Sequence, residues 1–564
     1  MSIDGQIEKK IDKIKYMEIN SHILKQLPDF DIRQLENFDL GLADGEKDET
    51  LKQSFIVTKS IRKLLKKKYN YVLSPKGAGK SATFKAITEK YISSDLLDYN
   101  KYHIIPINKA FETDNEYLST QRFKSNLEHK KYTVSWALYI AIKLIETILN
   151  DYKDSPYFSK FEADIKKYAD FKDKYELYNI LDYLEQLNLS LKFSTNGQDL
   201  IINPSIKIKK TNKKISLNEI YQLINDFFNK NNVIVKVLID RVDNFVQKEE
   251  YQIQKNYLQG LVDCIEEIAN LSNIQPLVFL RTDLFFSHTL NFEFDKLADR
   301  ILNLEWSKDE ILFFITRRLL TNSYIRTNFN QYLNYCIENE LNTKVKIGTK
   351  TRVKKFFDKL IGKNNDFDIN QDINYKIAER FVKLFFANEI EHLNAIQKTE
   401  PIELCQWLFT HFIDTNQFIN PRLVLRFLQL LADKQYEIYV SHNILVSPFI
   451  KVKEESGYVT YNIFMCDVIK TVYRQVQNEQ LKTIFKLQNT KTTQALFRKF
   501  NQLLVLKESL NYGDINLKNF ETEKEEFNRL IKYLNLLGFI SEIDTKRYTT
   551  SPLYRKELEL SIIN

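Results

Sequence analysis

Residues 71–81 read Tyr71-Val72-Leu73-Ser74-Pro75-Lys76-Gly77-Ala78-Gly79-Lys80-Ser81, a short apolar run followed by a glycine-rich turn. The apolar run predicts a β-strand, and the residues that follow through Tyr91 suit a helix. Strand, glycine-rich loop and helix are the order that a phosphate-binding loop requires. Gly77 and Gly79 allow backbone N–H groups to turn inward around phosphate oxygens, and the helix beginning near Lys80 directs its positive dipole end at the same anion.

The residue types in this loop predict ATP bound with Mg²⁺ as its ligand. We expect Lys80 to contact the β and γ phosphates and the Ser81 hydroxyl to ligate magnesium. The usual pattern G-x-x-x-x-G-K-[ST] begins with glycine, whereas Ser74 stands at that position here, and serine is small enough to be tolerated. The alternative is an ordinary glycine-rich turn. The expected cradle consists of Ser74, Pro75, Lys76, Gly77, Ala78, Gly79, Lys80 and Ser81.

A second acidic site is needed to hold the magnesium ion, and the segment 233–240 supplies it. It reads Val-Ile-Val-Lys-Val-Leu-Ile-Asp, a β-branched run that ends in Asp240. Such a run predicts a parallel strand buried on both faces, with the acid at its carboxyl end. Arg241 occupies the place where many NTPases have a catalytic glutamate, and it cannot accept a proton. Asp243 is therefore the expected base, with Glu249 or Glu250 as alternatives.

Further strand patterns complete an α/β sheet. They cover residues 103–107, 276–280 and 301–306, and the second of these leads into Arg281-Thr282-Asp283. Five strands that alternate with helical segments predict the parallel sheet of the P-loop NTPase class, with nucleotide at its carboxyl edge. The expected fold class is α/β, with a helical insertion, a helical lid and a C-terminal winged-helix-like domain.

With these motifs in order, the chain resembles the AAA+ and STAND branch of P-loop ATPases, and in particular defence-associated bacterial ATPases. The resemblance lies in residues 41–46 (Gly-Leu-Ala-Asp-Gly-Glu), 74–81, 238–243, 279–283 and 297–306. It implies that Arg300 reaches the γ-phosphate of a neighbouring subunit; a surface ion pair is the alternative. Arg281 matches the first sensor position, where Thr282 competes with it. Arg422, in Asn420-Pro421-Arg422, matches a second sensor over the phosphates, or else a solvated helix start.

The expected domains are an N-terminal helical segment (1–37), the ATPase core (38–306, with an insertion at about 110–230), a helical lid (307–437) and a winged-helix-like domain (438–564). Asn196-Gly197 predicts a hairpin turn within the insertion. In the last domain a helix from about Thr492, a helix at 524–537 and a β-hairpin follow the winged-helix order. Its basic residues Arg529, Lys532, Lys546 and Arg547 are candidate phosphate contacts, the alternative being a packing module.

Composition narrows the function classes. The formal charge of +8 arises from 82 basic and 74 acidic residues among 564, which permits a polyanionic partner without demanding one. Basic clusters at 207–214 and 344–363 are candidate nucleic-acid contacts or solvated surface. The four cysteines form no metal or disulfide pattern, and this favours a reducing cytoplasm. The N-terminus lacks the apolar region of a signal peptide, and the apolar stretch 134–149 predicts a buried helix rather than a membrane span.

Two functions remain open from sequence. The first is an ATPase or ATP switch whose nucleotide state controls homo-oligomer assembly or a partner effector protein, in the setting of antiviral defence. The second is a nucleic-acid-handling ATPase that resembles loaders and origin-recognition proteins and grips DNA or RNA. A signalling GTPase is disfavoured, because the sequence has no Asn-Lys-x-Asp motif for reading guanine.

Overall fold

A computed structural model describes most of the chain. The described residues are 31–36, 38–108, 129–165, 192–193, 200–201, 217–242, 251–288, 297–329, 332–333, 371–386, 389–393, 399–442, 451–453, 459–461, 464, 466–486, 509–511, 524–544, 547–551 and 553–554.

Helices and strands alternate in the first half of the chain. The α-helices are α1 (Leu51–Ser54), α2 (Lys59–Lys66), α3 (Lys80–Thr88), α4 (His129–Asp151), α5 (Phe158–Ile165), α6 (Leu217–Lys230), α7 (Tyr251–Ile268), α8 (Thr282–His288), α9 (Lys308–Thr321), α10 (Ser323–Asn328), α11 (Gln371–Phe385), α12 (Leu404–Phe412), α13 (Pro421–Ser441), α14 (Cys466–Lys486) and α15 (Lys524–Leu536). The strands are β1 (Tyr71–Ser74), β2 (Tyr102–Ile107), β3 (Lys192–Phe193), β4 (Leu200–Ile201), β5 (Ile234–Ile239), β6 (Ile274–Arg281), β7 (Ile301–Asn303), β8 (Glu389–Leu393), β9 (Thr399–Glu403), β10 (Lys451–Lys453), β11 (Val459–Tyr461), β12 (Ser509–Asn511), β13 (Ile540–Asp544) and β14 (Arg547–Thr550).

The chain divides into two compact units. The first, called the sheet unit below, comprises Lys59–Pro75 and Thr83–Leu304. The second, called the helical unit, comprises Met1–Thr58, Lys76–Ala82 and Glu305–Asn564. The phosphate loop between β1 and α3 is thus grouped with the helical unit. The domain limits given above from sequence stay predictions.

A five-stranded parallel sheet forms the centre of the sheet unit, in the order β2-β5-β6-β1-β7. The strand before the phosphate loop, β1, is therefore separated from the Asp240 strand, β5, by β6 alone. This arrangement confirms the predicted α/β sheet of the P-loop NTPase class. Its carboxyl edge holds the ends of β1, β5 and β6, where ligands of such sheets bind.

Apolar strands and amphipathic helices explain why this sheet forms. All four residues of β1 are buried, as are the last six residues of β6, which fits strands covered on both faces. The inserted helix α4 packs beside α7, with Trp136 of α4 contacting Tyr257 of α7. The predicted buried helix at 134–149 therefore lies within α4. None of the helices in the described ranges is long and apolar enough to cross a bilayer.

The described residues of the insertion between β2 and β5 are mostly helical, as predicted, and form α4, α5 and α6 together with the antiparallel pair β3 and β4. That pair flanks Asn196-Gly197, which lie outside the described residues.

The helical unit is built around a separate hydrophobic core, to which α9, α11, α12, α13 and α14 contribute. The first of these helices begins at a capping box: the Ser307 hydroxyl accepts the Glu310 N–H at 3.3 Å, and the Glu310 carboxylate accepts the Ser307 N–H at 2.8 Å. Helix α13 begins at Pro421, with Asn420 as its N-cap. Helices thus follow the sheet in the chain, as the predicted lid requires.

The C-terminal part of the helical unit has the elements of a winged helix. Strand β12 precedes helix α15, strands β13 and β14 follow it, and the three strands form an antiparallel sheet of order β12-β14-β13. Leu534, Phe539 and Ile540 are buried in the core of the helical unit. The predicted helix from about Thr492 lies outside the described residues.

Candidate nucleotide site

The phosphate loop has the backbone conformation of an anion-binding turn. It leaves β1 after Ser74 and ends where α3 begins at Lys80. Gly77 and Gly79 have φ angles of +91° and +97°, which glycine adopts readily and other residues avoid. Such left-handed residues turn successive N–H groups toward one side of the loop. The predicted strand, loop and helix are all present in this order.

Side chains from distant parts of the sequence hold this loop from outside. Trp306 donates its indole Nε1–H to the Ala78 carbonyl at 2.8 Å. Asn420 donates its side-chain amide to the Lys76 carbonyl at 2.8 Å. A β-carbon built on Gly77 would lie 2.4 Å from Asn420 Oδ1, so the loop and the start of α13 are in direct contact.

The segment Gly41-Leu42-Ala43-Asp44-Gly45-Glu46 lies against α13. Arg422 donates from Nε to the Ala43 carbonyl at 3.0 Å, and Gln429 donates to the Gly41 carbonyl at 2.5 Å. A β-carbon on Gly45 would lie 3.0 Å from the Ala82 side chain, at the start of α3. Arg422 is therefore bonded to this segment, and its role over the phosphates stays a prediction.

A buried ion pair lies two residues beyond this segment. Arg318 of α9 contacts Asp48 at 2.6 Å, and its side chain and that of Asp48 are 5% and 0% exposed. The same guanidinium donates to the Leu40 carbonyl and the Thr50 hydroxyl. Burial lowers the pKa of Arg318, although Asp48 opposes this shift.

Asp240 follows the last residue of β5 and is buried, with 6% of its surface exposed. Its N–H donates to the Ile107 carbonyl at the end of β2. Ile239, Val278 and Tyr71 lie at one level across β5, β6 and β1. Strands β1 and β6 each continue for three residues beyond that level, whereas Asp240 lies only one residue beyond it. At about 3.3 Å per residue, the ends of β1 and β6 therefore extend about 7 Å further than Asp240. Asp240 thus lies in a recess at the carboxyl edge of the sheet.

Arg241, directly after this acid, has a φ angle of +62°. The left-handed region is uncommon for residues other than glycine, asparagine and aspartate, and such strain collects at functional sites. Asp243, Glu249 and Glu250, the candidate bases, lie outside the described residues.

Arg281, the predicted first sensor, ends β6 at the level of Ser74. It forms a two-pronged pair with Asp283, with N–O distances of 3.0 and 2.6 Å. Both side chains are buried. Thr282, the competing residue, begins α8 and is half-buried. Both candidates thus lie at the carboxyl edge with Asp240, and Arg281 carries a countercharge of its own.

Arg300 lies at the opposite edge of the sheet. It directly precedes β7, and its carbonyl accepts the Tyr71 N–H at the start of β1. Its guanidinium contacts Glu266 at 2.6 Å, and Tyr71 donates its hydroxyl to the other oxygen of that carboxylate at 2.9 Å. Burial raises the pKa of Glu266, in spite of these two partners. The ion pair that was the alternative for Arg300 is present.

A cluster of Glu379, Glu403 and Cys405 has the composition of a metal site. The ammonium group of Lys383 contacts both carboxylates. Burial raises the pKa of the Cys405 thiol to about 12, so the sulfur stays protonated. A bound cation would have to displace Lys383, and we assign no metal to this cluster.

The basic surfaces named from sequence are only partly described. The clusters 207–214 and 344–363 and the residue Lys546 lie outside the described residues, as do the side chains of Arg529 and Arg547; Lys532 is exposed on α15.

One basic segment was not predicted from the sequence. Residues 59–68 contain six Lys or Arg and no acid, and they form α2 and its end. Lys59, Lys63 and Lys66 are exposed on one helical face.

Comparison with known proteins gives no family assignment. No protein-family model and no curated protein matches the sequence. Solved structures that resemble the chain include the Walker-type ATPase paby2304 of Pyrococcus abyssi, with 12% identity, a TM-score of 0.32, and coverage of 92% of this chain and 98% of that one. Cdc6p from Pyrobaculum aerophilum has 10% identity, a TM-score of 0.24, and coverage of 90% and 95%. The ORC2 protein of Aeropyrum pernix has 10% identity, a TM-score of 0.33, and coverage of 88% and 87%. At these TM-scores the likenesses carry no functional inference, and the fold assignment rests on the sheet order and the loop.

Proposed function

We propose that the chain is an ATP-binding and ATP-hydrolysing protein of the AAA+ and STAND type. The observation that carries this proposal is the loop between β1 and α3, in which two left-handed glycines precede a helix N-terminus. This arrangement offers backbone N–H donors and a positive dipole end to one anion. In this proposal the cradle is Ser74 to Ser81, and Lys80 contacts the β and γ phosphates.

Ser81 and Asp240 are the proposed magnesium ligands. Mg²⁺ prefers oxygen donors and a small number of protein carboxylates, and a hydroxyl in the first turn of α3 and a buried carboxylate at the end of β5 meet that preference. When bound with nucleotide, the ion would neutralise charge on the β and γ phosphates. The strained backbone at Arg241 supports a functional role for the end of β5.

Hydrolysis would also need a base and a polar group beside the γ-phosphate. We propose Asp243 as the base, with Glu249 and Glu250 as alternatives, and Arg281 or Thr282 as the group beside the γ-phosphate. Arg300 lies at the amino edge of the sheet, whereas the phosphate loop leaves the carboxyl edge. If Arg300 acts on nucleotide, that nucleotide therefore belongs to a second copy of the chain. In that case the chain would be active as a homo-oligomer.

The proposed output is control of assembly or of a partner effector protein by the bound nucleotide, in a cytoplasmic antiviral defence setting. The contact of Asn420 with the phosphate loop supports such control, because α13 belongs to the same hydrophobic core as the C-terminal module. The defence setting rests on the sequence resemblance alone. Plaque counts of phages on cells that carry the wild-type gene or Lys80→Ala test it: protection lost in the variant supports the setting, and equal counts with both and with empty vector contradict it.

Nucleic-acid handling is the second candidate, and α2 favours it. Its exposed lysines recur at intervals of four and three residues, which gives one helical face of a single charge sign. Such a face attracts DNA or RNA phosphates through release of counterions. The charge-reversal pair Lys63→Glu with Lys66→Glu tests it. Lys153→Glu with Lys160→Glu, which changes exposed lysines near α5, is the matched control.

One set of measurements separates the two candidates. ATP hydrolysis by the purified chain, by Lys80→Ala and by Asp240→Ala is followed with and without DNA or RNA, while light scattering reports the mass. Turnover that needs both residues and rises with nucleic acid supports the second candidate. Nucleic-acid binding must in that case weaken with salt, and it must be lost in the α2 charge-reversal variant but not in the control near α5. Nucleotide-dependent assembly that is indifferent to nucleic acid supports the first.

A further inference from the structure

We infer that Trp306 and Asn420 are positioning residues that hold the phosphate loop in its anion-binding conformation. The inference rests on the proposed nucleotide site and adds two residues that no phosphate-loop motif contains. The Lys76 and Ala78 carbonyls, two residues apart, accept the Asn420 amide and the Trp306 indole N–H, each at 2.8 Å.

Because the peptide group is planar, these contacts also fix the direction of the N–H group that follows each carbonyl. In a trans peptide the carbonyl of one residue and the N–H of the next point in opposite directions, and the described chain contains no cis bond. Fixing the Lys76 carbonyl toward Asn420 therefore directs the Gly77 N–H to the opposite side. Fixing the Ala78 carbonyl toward Trp306 directs the Gly79 N–H in the same way. Gly79 is the glycine that the loop motif requires before Lys80, and Gly77 shares its left-handed conformation.

Glycine has the greatest backbone freedom of any residue, so a loop with glycine at alternate positions does not hold one conformation by itself. Ordering such a loop on binding reduces ligand affinity, whereas a loop that is already ordered avoids this loss. The two side-chain donors supply this order by binding carbonyl groups of the loop.

Both donors are themselves fixed. Asn420 uses its Oδ1 atom to accept the Arg422 N–H at 3.0 Å, and it thereby caps α13. The Trp306 ring packs edge-to-face on Phe314 of α9, with ring centroids 5.6 Å apart. A β-carbon on Gly77 would collide with the Asn420 side chain, which shows how closely the cap and the loop fit. The loop is thus tied to residues that lie directly before two separate helices, α9 and α13.

The variants Asn420→Ser and Trp306→Phe remove one donor each and keep the remaining function of the side chain. Serine is a good helix cap but lacks the amide that reaches Lys76. Phenylalanine keeps an aromatic ring against Phe314 but has no N–H. Asn322→Ser is the matched control for the first, because Asn322 caps α10 in the same unit with the same kind of bond. Tyr324→Phe is the control for the second, since it removes the hydroxyl that accepts the Asp31 N–H.

Two readouts are needed: MgADP affinity by calorimetry, and hydrogen exchange of peptides that cover residues 74–82 in the nucleotide-free chain. Loss of one ordinary hydrogen bond corresponds to weakening of MgADP binding by about three- to tenfold. We expect that loss, and faster exchange in the loop, in Asn420→Ser and Trp306→Phe but not in the controls.

Wild-type exchange rates in the loop of both variants would overturn the inference, as would unchanged MgADP affinity. The exchange readout needs no nucleotide. A wild-type chain that binds no MgADP would therefore contradict the proposed function alone, and the positioning of the loop would still be decided.

Discussion

Asp48→Asn removes one charge of the buried Arg318–Asp48 pair, which ties the residues flanking the segment 41–46 to α9. The guanidinium of Arg318 would stay buried without a countercharge at bonding distance. Breaking a buried pair in this way costs about 3–5 kcal/mol. Arg318 keeps the Leu40 carbonyl and the Thr50 hydroxyl as acceptors, and the new amide oxygen offers a third. We therefore expect the low end of that range, about 3 kcal/mol.

Arg318→Met removes the other partner and leaves the Asp48 carboxylate buried. Replacing both members of a buried pair is often close to neutral, so the double variant should be destabilised by less than the sum of the single losses. A coupling free energy of about 2 kcal/mol between the two sites is expected. Glu437→Gln breaks an exposed pair with Lys434 in the same unit and serves as the control, with a cost below about 1 kcal/mol.

Urea unfolding followed by tryptophan fluorescence measures these free energies. Trp136 lies in the sheet unit, whereas Trp306 and Trp407 lie in the helical unit. A Trp136→Phe background makes the emission report on the helical unit, which matters because units of a large chain can unfold separately. If Asp48→Asn shifts the unfolding free energy no more than Glu437→Gln does, the pair does not stabilise the unit as described.

Two further predictions concern the loop and a buried acid. Gly77→Ala should lower the thermal midpoint of the nucleotide-free chain more than Gly79→Ala. Both impose a positive φ on alanine, but a β-carbon collides with Asn420 only at Gly77, whereas at Gly79 the nearest atom is 3.8 Å away; equal midpoints would contradict this. Burial raises the pKa of Asp414 to about 7, against the N–H donors of Phe418 and Asn416, which lower it. The folded pKa exceeds the unfolded value of about 3.9, so stability from this group is present below about pH 4 and is lost as the pH rises to about 7. Asp414→Asn should therefore lose about 3 kcal/mol less stability than the wild type between pH 5 and pH 8, as measured by urea midpoints, and parallel pH profiles would refute the assignment.

Local signals predicted the parts of the fold that depend on neighbouring residues. The strand, loop and helix from Tyr71 through α3 were predicted because an apolar run, two glycines and a helix start stand next to each other. Asp240 was placed at a strand end because a β-branched run stops there. The order of the strands was not predicted, since pairing β1 between β6 and β7 joins segments about 200 residues apart and leaves no periodic signal.

The residues that hold the loop were missed for the same reason. Trp306 and Ala78 are 228 positions apart, and Asn420 and Lys76 are 344 apart. Asn420-Pro421 was interpreted through its local role as a helix start, which is correct, but the hydrogen bond that the Asn420 amide nitrogen donates to the Lys76 carbonyl has no local signature. Glu266 was likewise not foreseen as the partner of Arg300, because a helix and a turn 34 positions apart supply the two charges.

Calorimetric titration of MgATP into the purified chain, beside Lys80→Ala, tests the nucleotide site most directly. We expect saturable binding by the wild type with one site per chain. In the variant we expect binding weakened at least tenfold, which corresponds to about 1.4 kcal/mol. Equal heats for the two proteins, or no binding by a folded wild-type chain, would contradict the assignment of residues 74–81 as a phosphate loop.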